Sequence, residues 1–104
     1  MQKSAAEIRV SGSLENHYAP AAKVILDAAP IVGQGFIALS EIDTPVGVIR
    51  LAAPKSDREF AQVLYGALRR ADTDGLSEVV VHQPIGDGIA VAIRDRLARA
   101  ANGR

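Results

Sequence analysis

His17 and His82 are the only imidazoles in a chain of 104 residues, and no cysteine accompanies them. Disulfide frameworks, thiolate metal sites and cysteine nucleophiles are therefore excluded together. His82 closes a run of three valines and stands just before Gly86-Asp-Gly88. Glycines between a strand and a helix mark the crevice where open α/β sheets bind ligands and where helix amides hold anions, so His82, Gly86 and Gly88 form one candidate site. The third glycine of a dinucleotide fingerprint is missing, because Val91 occupies its position. The plainer reading is that two glycines make the strand-to-helix turn and that His82, with no carboxylate or second imidazole at metal spacing, is a half-exposed strand end.

The second candidate is His17-Tyr-Ala-Pro20, in a segment otherwise built from Ser, Asn and Glu. Proline stiffens the backbone and holds the residue before it extended. Consecutive residues of an extended segment point to opposite sides, so His17 and Tyr18 are able to engage two surfaces at once. The alternative is that Tyr18 packs this arm back onto its own domain. The other polar groupings have bland explanations. Arg94, Arg96 and Arg99 complement the C-terminal dipole of a helix, and Arg58, Gln62, Tyr65 and Arg69 form the solvated face of another.

These residues need elements to position them. Residues 1–22 show neither a period of 2 nor one of 3.6 and read as a linker or arm, with a folded domain over residues 23–104. Within it, Lys23–Asp27 and Gly35–Ser40 read as buried strands, Val46–Ala52 as an edge strand and Glu78–His82 as a strand covered on both faces. Ser56-Asp-Arg-Glu59 is a capping box. It opens a helix that buries Phe60, Val63, Leu64, Ala67, Leu68 and Ala71 and ends near Ala71. Residues 88–101 form a second helix with Ile89, Ile93, Leu97 and Ala100 inward and an Asp95–Arg99 pair outside. Only seven residues, 28–34, separate the first two strands, too few for a helical crossover, so those strands are antiparallel or not neighbours. The expected fold is a small Rossmann-like open α/β sheet of about four strands, mostly parallel with room for one antiparallel strand, and two main helices.

Composition narrows the function. Twelve Lys+Arg balance twelve Asp+Glu, leaving no cationic surplus for neutralising phosphates, so direct nucleic-acid binding is not expected. No run reaches the 18 or so apolar residues of a membrane helix, and Met1–Arg9 lacks the apolar core of a secretory signal, so a cytoplasmic location is expected. At this length a chain supports one apolar core.

Three segments in order resemble the C-terminal domain of the two-domain threonylcarbamoyl-AMP synthases. Ser11-Gly-Ser-Leu-Glu-Asn-His-Tyr-Ala-Pro20 is similar to that family's P-G-M-x-x-x-H-Y-A-P linker. Leu64-Tyr-Gly-Ala-Leu-Arg69, with Asp72 and Gly75 after it, is similar to L-Y-x-x-L-R-x-x-D-x-x-G. Gly88-Ile-Ala-Val-Ala-Ile-Arg-Asp-Arg-Leu97 followed by Ala100-Ala101 is similar to G-L-x-x-A-I-x-D-R-L-x-x-A-A. The resemblance implies a tie to tRNA threonylcarbamoyladenosine synthesis, with ATP and magnesium used in a YrdC-like catalytic domain that these residues do not contain. It further implies that His17, Tyr18, Ala19 and Pro20 are lid residues over that domain's cavity, supplied in cis or in trans. The chain departs from longer members in lacking a helix between its first two strands.

Three functional readings follow. The first is an accessory or regulatory domain, inactive by itself. The second is a free-standing sensor of a nucleotide or another anion at the His82, Gly86 and Gly88 crevice. A homodimerisation module is a third.

Overall fold

Val79, Val80 and Val81 are each at most 1% exposed, and the strand they form lies inside the sheet as the valine run predicts. The computed structural model describes residues 19–102. Its strands are β1 (Lys23–Leu26), β2 (Gly35–Ile37), β3 (Ile49–Ala52) and β4 (Glu78–Val81), and its helices are α1 (Asp57–Thr73) and α2 (Ile89–Asn102). The sheet order is β1-β4-β2-β3, and every neighbouring pair is parallel.

The short link between the first two strands is thereby explained. β1 and β2 are not neighbours, because β4 lies between them, and the antiparallel option is not taken. The eight residues from 27 to 34 span up to about 26 Å when extended, ample to return from the end of β1 to the start of β2 without a helix. β1, which reads as a buried strand, is instead an edge, with Lys23 exposed and only Val24 fully buried. β3 is the other edge, as its glycine-bearing approach suggests.

Side chains alternate across the sheet and build two apolar layers. Val24, Ile37, Leu51, Val79 and Val81 pack against both helices in the main core. Phe36 and Val80 point the other way and form a second cluster with Ala38, covered by Ala28, Ile42 and Val48 from the β1–β2 and β2–β3 connections. The result is a two-layer α/β domain with its helices on one face and loops on the other.

The helices follow their apolar spacing with three adjustments. Ser56 Oγ accepts the Glu59 amide at 3.1 Å, but the Glu59 carboxylate accepts from the Lys55 amide at 2.6 Å rather than from Ser56. Half of the capping box is thus displaced by one residue. α1 runs to Thr73, two residues beyond the expected end, and buries Tyr65 (6% exposed) where a solvated position was expected, while Val63 is half-buried. In α2 the buried face is Ala90, Ile93, Leu97 and Ala100; Ile89, expected inward, is 46% exposed because the face follows the i−3 neighbour of Ile93 rather than the i−4 one.

Candidate functional site

The linker meets the domain through a carboxylate. Asp72 accepts the amides of Ala21 and Ala22, each at 3.0 Å, just before the Lys23 amide donates to the Ser77 carbonyl at 2.9 Å and β1 begins. Asp72 lies in the last turn of α1, where the helix dipole disfavours an anion. Helix formation alone does not select a carboxylate there; receiving two linker amides does. Of the four residues to which the family resemblance assigns a lid role, His17 and Tyr18 lie outside the described residues. Ala19 is exposed, and Pro20 is fully buried. The ring of Pro20 and the carboxylate of Asp72 therefore fix the direction and position at which the upstream segment joins the fold.

The crevice residues are gathered at the opposite end of the sheet, where the strands finish. His82 follows β4, and its backbone amide donates to the Ile37 carbonyl at 2.9 Å. Its Nε2 lies 2.9 Å from the Ala28 carbonyl oxygen, and since a carbonyl only accepts, Nε2 carries the proton. The ring meets Phe36 edge-on, with centroids 4.9 Å apart and planes at 89°. His82 thus ties the β1–β2 connection to the end of β4. Gly86 and Gly88 both adopt positive φ, 103° and 69°, in the turn leading to α2. Arg94 reaches back from α2, donating from Nη1 to the Pro84 carbonyl at 2.8 Å and from Nη2 to the Gly86 carbonyl at 2.9 Å. Asp27, itself at φ 60°, accepts the Gln83 amide at 2.9 Å and Gln83 Nε2 at 2.7 Å. The polar side chains around this crevice hold main chain in place.

Arg50 was not singled out by spacing or motif, yet it organises the loop-covered face. Its Nε donates to the Ala52 carbonyl, Nη1 to the Ile42 carbonyl and Thr44 Oγ1, and Nη2 to the Ala38 and Leu39 carbonyls, all within 2.9 Å. The guanidinium carbon stands 5.1 Å from the centroid of Phe36, within cation–π range. Burial lowers its pKa from the ordinary value, and Asp43 pulls in the opposite direction. The only sequence signal for this role is a lone arginine inside an apolar edge strand, Ile49-Arg-Leu-Ala52.

An open groove of about 440 Å³ runs between the β3 edge and α1. Its floor is small and apolar, with Ala53, Val63, Gly66 and Ala67, and Glu59 and Arg70 also line it. Among the described residues no three His, Cys, Asp or Glu side chains come together as a metal site requires, and no helix is long and apolar enough to cross a membrane. Asp95 and Arg99 pair on the outer face of α2 as their spacing predicts.

A parallel four-stranded sheet with both helices on one face, a carboxylate clamp on residues 21 and 22 and polar groups committed to backbone support defines a small open-sheet α/β domain. The family model for the threonylcarbamoyl-AMP synthase C-terminal domain matches residues 1–102, and the chain belongs to that family. Neither curated proteins nor solved structures gave a match.

Proposed function

We propose that this chain is the accessory, regulatory domain of an L-threonylcarbamoyladenylate synthase and that it acts by presenting a lid to a YrdC-like catalytic domain in cis or in trans. Asp72 is the observation that carries this reading: a carboxylate placed against the helix dipole, with both oxygens on the linker amides of Ala21 and Ala22. Pro20 is buried one residue upstream, so the segment bearing His17 and Tyr18 departs from a fixed point. A lid so anchored loses less conformational entropy on closing than one hung from a free chain.

Over a catalytic cavity, His17, Tyr18, Ala19 and Pro20 would exclude water from a hydrolysable carbamoyl adenylate and order the site, which is gating rather than acid–base chemistry. ATP and magnesium belong to the catalytic domain in this scheme, and the reaction runs in the cytoplasm as part of tRNA modification. The test is binding of the purified chain to a YrdC-like domain, followed by calorimetry. Replacing His17 and Tyr18 together by Ala weakens binding at least tenfold on this reading. Equal affinity of the double variant and the parent contradicts it.

A further inference from the structure

The side of α1 that lines the groove beside β3 carries Glu59, Val63, Gly66 and Arg70. Their spacing of four, three and four residues is that of a seam along which two helices pack side by side. Glu59 and Val63 are half-buried and Gly66 and Arg70 are exposed, so nothing within the described residues closes this seam.

Gly66 is the residue that the domain itself does not require. It stands in the interior of a 17-residue helix, where glycine is less favourable than alanine. A Cβ there would meet nothing within 4 Å, so no neighbour in the chain forbids a larger side chain. A bare helix surface of this kind admits the close approach of another molecule.

The seam is its own complement when reversed. In two antiparallel copies related by a two-fold axis midway between Val63 and Gly66, Val63 of each copy faces Gly66 of the other, and Glu59 of each faces Arg70 of the other. Each apolar side chain then meets a hollow, and each anion a cation. Arg70 Nε lies 3.5 Å from Asp74 Oδ2, an exposed pair that is exchanged for a new partner at little cost. The helix dipole accounts for the signs of Glu59 and Arg70 at the two ends of α1, but not for the glycine between them. The small residues on the floor, Ala53 and Ala67, let two helices approach to the usual interaxial distance of about 8–10 Å. An added peptide strand fits the same groove less well, because edge strand β3 has only four residues and its register shifts against β2.

We propose that the groove face of α1 is a homodimer interface, in which a second copy of this chain packs antiparallel with Val63 over Gly66 and Glu59 against Arg70. The test is sedimentation velocity of the 104-residue chain from micromolar to millimolar concentration, repeated with Gly66→Leu, Glu59→Lys and Arg70→Glu. The parent is expected to dimerise within this range, and each variant at least tenfold more weakly. Mixing Glu59→Lys with Arg70→Glu is expected to restore a dimer, since both charge contacts are then complementary across the pair. Gly66→Leu keeps the fold because open space lies above the glycine, and it decides the matter even where a charge variant folds poorly. A parent that stays monomeric at millimolar concentration overturns the proposal, as does a dimer indifferent to Gly66→Leu. A monomeric parent whose Val63 and Gly66 amide resonances shift only on adding a YrdC-like domain assigns the groove to that partner and also overturns it.

Discussion

At the scale of single residues, Asp72 and Arg50 do comparable work with different visibility in the sequence. Asp72→Ala strands the Ala21 and Ala22 amides and should lower unfolding free energy by about 1–3 kcal/mol, with Asp72→Asn losing less because one acceptor oxygen survives. Urea denaturation measures this, and an unshifted midpoint for the alanine variant contradicts the clamp. Arg50→Lys keeps the charge but replaces a planar fork that serves four carbonyls and a hydroxyl with a point donor, at an expected cost of about 2 kcal/mol in the same assay. A stability equal to the parent's would show that those bonds contribute nothing net. Asp72 was legible only as a motif position, because the linker amides that explain it lie fifty residues away in sequence. Arg50 was legible only as a lone arginine in an apolar strand, since most of the carbonyls it holds come from the β2–β3 connection, whose path no local pattern specifies. His82 was visible as a strand end, but its carbonyl partner at Ala28 depends on the sheet order.

Helices and strands were read with uneven success, for reasons that lie in the range of the forces shaping them. α1 is set by a local cap and a 3.6-residue period, and the Ser56 cap and most of the apolar face appear where the pattern places them. Ser56→Ala should therefore cost about 1 kcal/mol by removing the acceptor for the Glu59 amide, while leaving the fold intact. A change under a few tenths in chemical denaturation would mean that the Lys55 amide contact with Glu59 already fixes the helix start. The burial of Tyr65 and the exposure of Ile89 escaped the pattern because a helix's rotation about its axis is decided by the sheet beneath it. Likewise, the valine run identified β4 as covered on both faces but did not reveal that it separates β1 from β2. Strand order is a property of long-range pairing, and the eight-residue connection merely limited it.

For the whole molecule, the division of the sheet into two ends carries the functional reading. At the ends of the strands, His82 and Arg94 are bonded to main-chain carbonyls; at their beginnings, Asp72 receives the amides of Ala21 and Ala22 and two turns expose Ile31, Val32 and Val46. Composition gave no sign of the first of these facts, since the carbonyls that His82 and Arg94 hold are placed by the sheet order and the turn before α2. It gave no hint of the second either, because Ile31, Val32 and Val46 are ordinary aliphatic residues whose exposure only the fold determines. The most direct measurement is pyrophosphate release from ATP, threonine and bicarbonate, followed for the 104-residue chain alone, for a YrdC-like domain alone, and for the two combined. The chain alone should release none, and its addition should alter the rate of the catalytic domain in a manner lost on replacing His17 and Tyr18 by Ala. Turnover by the isolated chain, or a catalytic rate indifferent to it at saturating concentration, would contradict the account.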